Sequence, residues 1–98
     1  MLDAAREAVS FTAGKSRDVF NQDRMLVLSI VKCIEIVGEA AGTVSEETRS
    51  AHPDIPWTDI IAMRNRLIHA YFNVNLDIVW NTVNSDLPEL IAEIEKIL

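Results

Sequence analysis

The amino-acid sequence predicts an all-α fold, an up-and-down bundle of four or five helices. Proline and glycine are scarce, with three of each in 98 residues, so few positions interrupt regular structure. Apolar residues make up 49% of the chain. They recur at intervals of three and four almost throughout, and no alternation of the β-strand type persists. A chain of this length encloses one hydrophobic core, which predicts a single domain over residues 1–98.

The first helix is predicted over Leu2–Thr12, where apolar side chains return at helical spacing. Gly14 is expected to end this helix in a left-handed conformation, which glycine adopts without steric cost. Ser16 is expected to open one short helical turn through Phe20, because a serine side chain accepts a hydrogen bond from the first amides of a helix.

A second, longer helix is predicted from a cap at Asn21 or Asp23 to about Gly42. Its apolar residues cover more than one face. Such a helix either contacts both the core and a second molecule, or lies at the centre of the monomer with other helices around it. The sequence leaves both interpretations open. The apolar residues are Leu26, Val27, Ile30, Val31, Cys33, Ile34, Val37, Ala40 and Ala41.

Two helices are predicted in the middle of the chain. Ser45 is expected to cap a short helix, with two glutamates in its first turn, that stops before Pro53. Pro56 suits the first position of the next helix, which is predicted to run to about Phe72.

The last helix is predicted to start at Leu76, with Asn75 as its cap. Pro88 would normally break it, because proline lacks the amide hydrogen and clashes with the preceding turn. The apolar residues nevertheless keep one helical phase from Leu76 to the end of the chain. This phase predicts one long helix that is kinked near Asn84.

The charge and the single cysteine limit the classes of function. A formal net charge of −6 argues against non-specific binding to nucleic acid or to an anionic membrane surface, although it allows a local basic cleft. One cysteine cannot form an intrachain disulfide, and Cys33 lies in an apolar run, so we expect a buried, inert thiol. No signal-peptide pattern is visible, and the apolar segment 25–41 carries three charges. We therefore expect a cytoplasmic protein with no membrane partner.

The common catalytic and metal-site motifs are absent from the sequence. No glutamate precedes a histidine by three residues, as in di-metal helical bundles, and there is no Cys-x-x-Cys. There is also no glycine-rich phosphate loop and no Gly-x-Ser-x-Gly turn. We therefore expect neither a metal ion nor another cofactor.

The segment that is best suited to chemistry runs from Arg64 to Tyr71, and it also holds Asn65, Arg66 and His69. Arginine binds phosphate through two donors, histidine transfers protons near neutral pH, and tyrosine stacks on bases. These residue types suit phosphodiester chemistry. A structural interpretation stays open, in which the arginines form salt bridges, the histidine is half buried and the tyrosine packs in the core.

Neither arginine has an acidic residue three or four positions away on its own helix. An ion-pair partner must therefore come from elsewhere, with Glu35 and Glu39 as candidates unless both are solvated. On a regular helix His69 lies about 140° around the axis from Arg64, whereas Tyr71 lies within about 20° of it. Either the helix loosens before His69, or a second copy completes the site across a symmetric interface.

The order of Arg64, Asn65, His69 and Tyr71 resembles the signature of HEPN domains, and the chain as a whole is similar to the HepT-like toxins. The resemblance extends over nearly the whole length. The other segments that carry it are Ile34–Ala41, Ile55-Pro56-Trp57, Tyr71–Asn75, and Val79-Trp80 leading to Asp86-Leu87-Pro88.

This resemblance implies a HEPN-like bundle that forms a homodimer or a higher even oligomer, bringing two motifs into one cleft. It implies a metal-independent ribonuclease that cuts tRNA or mRNA as the toxin of a type VII-like toxin–antitoxin pair. The implied partner is a minimal nucleotidyltransferase antitoxin of the MntA type, which silences the toxin by AMPylation of Tyr71. Arg64 and His69 would be catalytic, with Asn65 and Arg66 in support.

Two other classes of function remain at this point. The acidic composition and the wide apolar helix also suit a catalytically inactive module that binds a nucleotide or the partner nucleotidyltransferase. A purely structural helical subunit is the third class, and it predicts no phenotype for Arg64→Ala.

Overall fold

A computed structural model describes residues 1–69 and 75–97 of the chain. These residues are mainly helical and contain no β-strand, which confirms the all-α prediction. No helix within these two ranges is both long and apolar enough to cross a membrane. The helices are α1 Leu2–Thr12, α2 Arg17–Gln22, α3 Arg24–Thr43, α4 Glu46–Ala51, α5 Trp57–His69, α6 Leu76–Asn81 and α7 Leu87–Ile97, with a π-helical segment Thr82–Asp86 joining the last two.

Polar side chains cap four helix N-termini, as their positions in the sequence predict. Asp23, and not Asn21, caps α3. Gly14 follows α1 with φ at 74°, which confirms the predicted left-handed residue. The capping bonds run from Val19 N to Ser16 Oγ at 3.3 Å, from Leu26 N to Asp23 Oδ1 at 3.0 Å, from Thr48 N to Ser45 Oγ at 3.1 Å, and from Asp77 N to Asn75 Oδ1 at 3.0 Å.

Helix α3 organises the core, because it packs against α1 and α5, and α1 in turn packs against α7. The opposite face of α3 remains exposed, since Met25, Leu28 and Ile36 keep 81%, 46% and 41% of their surface accessible. The described part of the chain therefore does not surround α3 on all sides. Buried core residues include Ala5, Ala8, Phe20, Ile30, Ile34, Val37, Val79, Val83, Leu87 and Leu90.

Helix α5 begins at Trp57, one residue later than predicted. The Pro56 carbonyl accepts the Ile60 amide at 3.0 Å, so this proline lies just before the first helical residue. The Trp57 indole Nε1 donates to the His52 carbonyl at 3.1 Å, which ties the start of α5 to the segment before it. The predicted end of this helix near Phe72 lies outside the described residues.

The last helix is continuous from Leu76 to Ile97 but contains the π-helical segment at the place where a kink is predicted. The Leu87 amide bonds to the Thr82 carbonyl, five residues back, instead of to a carbonyl four residues back. This wider turn lies directly before Pro88, whose ring would clash with the carbonyl four residues earlier in a regular helix. The Asn84 side-chain amide donates to the Trp80 carbonyl at 2.9 Å and satisfies it locally.

Candidate active site

Arg64 on α5 lies directly over Gly38 of α3, where the two helices approach each other closely. Gly38 is buried, and a Cβ atom added to it would overlap Cβ and Cγ of Arg64 and lie 3.4 Å from its Cδ. The close approach of the two helices therefore depends on the missing side chain at Gly38.

Two neighbours hold the guanidinium of Arg64. Nη2 lies 3.3 Å from Glu39 Oε1, in a salt bridge between α5 and α3. Nη1 donates to Asn65 Oδ1 at 3.2 Å. The Nε atom is buried without a hydrogen-bond partner among the described residues, although 30% of the side chain is accessible to solvent. An outside acceptor can therefore reach the solvent-accessible part of the Arg64 side chain but not the buried Nε.

The two glutamates that the sequence predicts as candidate partners of Arg64 have different partners in the structure. Glu39 pairs with Arg64, as one of the two candidates predicted. Glu35 is largely buried, with 13% of its side chain exposed, and lies 3.5 Å from Lys32 on its own helix. Of these two glutamates, Glu39 is therefore the one that is placed to orient the arginine of the motif.

Arg66 lies on another side of α5. Two residues correspond to about 200° around a helix, so it cannot share the face of Arg64. Arg66 instead lines a groove of about 650 Å³ between α5 and α7. The structure therefore brings Arg64, Asn65 and Glu39 together and leaves Arg66 apart from them.

The histidine of the motif ends α5, which is α-helical from Trp57 through His69. The helix does not loosen before His69, so that alternative is wrong. Because α5 is regular up to His69, the backbone positions of Arg64 and His69 stay about 140° apart around the helix axis. The side chain of His69 and the whole of Tyr71 lie outside the described residues.

Cys33 is buried, as predicted, with 4% of its surface exposed. Burial raises the pKa of the Cys33 thiol, and the nearby charge of Glu7 raises it further. The Sγ atom also donates a weak hydrogen bond to Glu7 Oε2 at 3.9 Å. A raised pKa leaves little thiolate near neutral pH, so this cysteine is a poor nucleophile.

Two supporting residues escaped the sequence interpretation. Gly38 is one of them; an isolated glycine inside a strongly apolar helix usually has a packing reason, which is the signal that could have identified it. The other is Arg49 on α4, whose Nη2 donates to the Ala41 carbonyl at 2.8 Å and closes the last turn of α3. No local pattern in the sequence predicts that contact.

Comparison with known proteins identifies the class to which this chain belongs. The family model described as "Ribonuclease HepT-like" matches residues 1–97. A Thermococcus cleftensis protein named "Probable ribonuclease HepT" is 33% identical over 100 residues, which cover 98% of this chain and 91% of the relative. A Caldanaerobacter subterraneus subsp. tengcongensis protein named "Putative RNase" is 40% identical over 85 residues, which cover 87% of this chain and 76% of the relative. No solved structure matches the chain significantly.

The fold and these relatives define a class of small all-α ribonucleases. Within that class, the chain belongs to the HepT-like family. The resemblance found in the sequence is thereby confirmed, and the prediction of a ribonuclease is confirmed at the level of the family.

Proposed function

We propose that this chain is a metal-independent endoribonuclease in which Arg64 and His69 act on the scissile phosphate of an RNA. The fixed guanidinium of Arg64 is the observation that carries the proposal. Glu39 and Asn65 each orient it from one side, and 30% of the Arg64 side chain stays accessible to solvent. A donor group that is positioned in advance stabilises developing negative charge without reorganisation during the reaction.

The chemistry follows from the two residue types. The ribose 2′-oxygen attacks phosphorus while the bond to the 5′-oxygen breaks, which leaves a 2′,3′-cyclic phosphate and a free 5′-hydroxyl. His69 takes the proton from the 2′-hydroxyl or gives one to the leaving oxygen, and Arg64 stabilises the pentacovalent phosphate. General acid–base catalysis of this kind typically contributes about 10²–10⁴ in rate.

A second copy of the chain supplies the other half of this proton transfer. Met25, Leu28 and Ile36 are exposed on one face of α3. Glu39 lies three residues beyond Ile36, so the same face continues to the ion pair with Arg64. Two copies that pair through this face bring their motifs close together, and the two histidines then act as base and acid. This pairing accommodates the separation of Arg64 and His69 on one helix.

The proposed biological role is that of a toxin whose partner is a minimal nucleotidyltransferase. That partner transfers AMP to Tyr71, which lies seven residues after Arg64 in the sequence. The AMP group carries a phosphate anion, which competes with RNA phosphate for the arginine. Membership of the HepT-like family supports this role. Induced expression with and without the nucleotidyltransferase tests it: growth should stop in its absence, RNA should be cut, and both effects should disappear with Tyr71 AMPylation.

Cleavage of RNA by the purified chain in EDTA tests the catalytic proposal. Arg64→Ala and His69→Ala should each lower the rate at least about 100-fold. Arg6→Ala is the matched control, because Arg6 also pairs with a glutamate on another helix, Glu95, at 2.7 Å. That variant should cut RNA like the wild type and leave the same cyclic phosphate ends.

Full activity of His69→Ala, or loss of wild-type activity in EDTA, would contradict the mechanism.

The exposed apolar face of α3 also favours a second function, a binding module without cleavage. A wild-type chain that cuts no RNA in any buffer but forms a stoichiometric complex with the nucleotidyltransferase would favour that alternative.

A further inference from the structure

A groove of about 650 Å³ lies between α5 and the last helix, on a side of α5 away from Arg64. Its floor is apolar and includes Val37 from α3 and Leu90 from α7. Met63 and Ile60 on α5 are only half buried and form one wall. This groove therefore presents apolar surface that the described part of the chain leaves uncovered.

The rim of the groove is strongly acidic. Five acidic residues and one arginine, Arg66, line it, which is a formal balance of four negative charges. Within the described ranges, only Glu93 among these acidic residues forms an ion pair, with Lys96 at 3.0 Å. The acidic residues are Asp54, Asp59, Asp86, Glu89 and Glu93.

The π-helical segment forms part of the opposite wall, which belongs to the last helix. Its first and last residues, Thr82 and Asp86, both line the groove. Such segments are rare in helices and are frequent at functional sites. The wider turn thus shapes the groove as well as accommodating Pro88.

We propose that this groove docks a short, basic, amphipathic helix of a partner protein. The apolar floor takes the apolar side of that helix, and the carboxylates pair with lysines and arginines along its edges. From Pro56 to Arg66 the groove wall extends about 15 Å, which matches about three turns of a partner helix. The carboxylates of the groove would repel the phosphates of RNA, which excludes RNA as the occupant. A second copy of the chain, with its net charge of −6, would be repelled in the same way.

The test uses a fluorescein-labelled dodecapeptide of lysine and leucine, with leucine at helical spacing, and a scrambled peptide of the same composition. Fluorescence anisotropy should show tighter binding of the amphipathic peptide to the full chain. Asp59→Asn combined with Glu89→Gln should weaken that binding by about threefold to thirtyfold. Ala92→Lys, which places a cation at an exposed position of the groove, should weaken it as well.

The matched control combines Glu46→Gln with Glu47→Gln. Both double variants replace two carboxylates by amides, so they change the net charge equally. The control should bind the peptide within about twofold of the wild type. Equal weakening by both pairs, or equal binding of the scrambled peptide, would overturn the proposal. RNA cleavage by Asp59→Asn with Glu89→Gln should stay at the wild-type rate, which separates this test from the ribonuclease proposal.

Discussion

Substitution of Gly38 by alanine should destabilise the protein, although alanine is the better helix former. The new Cβ overlaps Cβ and Cγ of Arg64, and the backbone fixes this Cβ, so no change of rotamer removes the overlap. Overpacking of this kind typically costs about 1–3 kcal/mol, and we expect the upper end because α3 and α5 must separate. The higher helix propensity of alanine offsets about 1 kcal/mol of this loss. The net loss in the free energy of unfolding should therefore be about 2 kcal/mol.

The same helix supplies a matched control, Gly42→Ala. Among the described residues outside the adjoining turns of α3, no atom lies within 4 Å of a Cβ added at Gly42, so this variant should gain about 0.5 kcal/mol from helix propensity. Urea unfolding followed by circular dichroism should separate the two variants by roughly 2–3 kcal/mol, or more than about 1 M in midpoint. Gly38→Ala should also cut RNA more slowly, because Arg64 is displaced. A Gly38→Ala variant as stable as Gly42→Ala would refute the packing argument.

Three further outcomes follow from individual contacts. Glu39→Gln removes the anionic partner of Arg64 and should lower kcat on RNA about tenfold with the fold intact; an unchanged kcat would contradict its positioning role. Because the folded thiol of Cys33 has a pKa raised above its ordinary value of 9.0, its contribution to stability is present below that pH and is lost as pH rises through the raised folded pKa. Urea unfolding at pH 8 and pH 10 should show a larger loss for the wild type than for Cys33→Ala, and equal losses would count against it. Asn75→Ala removes the acceptor of two amides at the start of α6 and should cost about 1 kcal/mol in thermal or urea unfolding, an effect that Asn81→Ala, outside a cap, should not reproduce.

The helices and their ends were predictable from the sequence because their causes are local. Ser45 and Asn75 accept hydrogen bonds from amides only two or three residues away, and each is recognised by its residue type and position. The choice between Asn21 and Asp23 as the cap of α3 was not predictable, since both types cap equally well. Pro88 indicated the irregularity in the last helix, but its form as a π-helical turn depends on how the flanking helices pack.

The candidate site was predictable as a set of residues but not as an arrangement. Arg64 and Gly38 are 26 positions apart, and their contact depends on the crossing of two helices, which no local pattern determines. For the same reason the sequence offered both Glu35 and Glu39 as partners. The separation of Arg66 from Arg64 follows from helical spacing alone, but the acidic groove that receives it is built from three separate parts of the chain.

The π-helical turn also changes the direction in which the last helix presents its side chains. Because the Leu87 amide reaches back five residues, the turn holds one additional residue, equivalent to about 100° of rotation. Apolar residues that are regularly spaced in the sequence therefore face different helices before and after the turn. The first half of the helix packs towards α3 and α2, and the Trp80 ring lies 5.1 Å from the ring of Phe20 on α2. The second half packs on α1, where Glu95 pairs with Arg6. One helix thereby serves two layers of the bundle, and deleting a single residue from the turn would set both halves to face one layer.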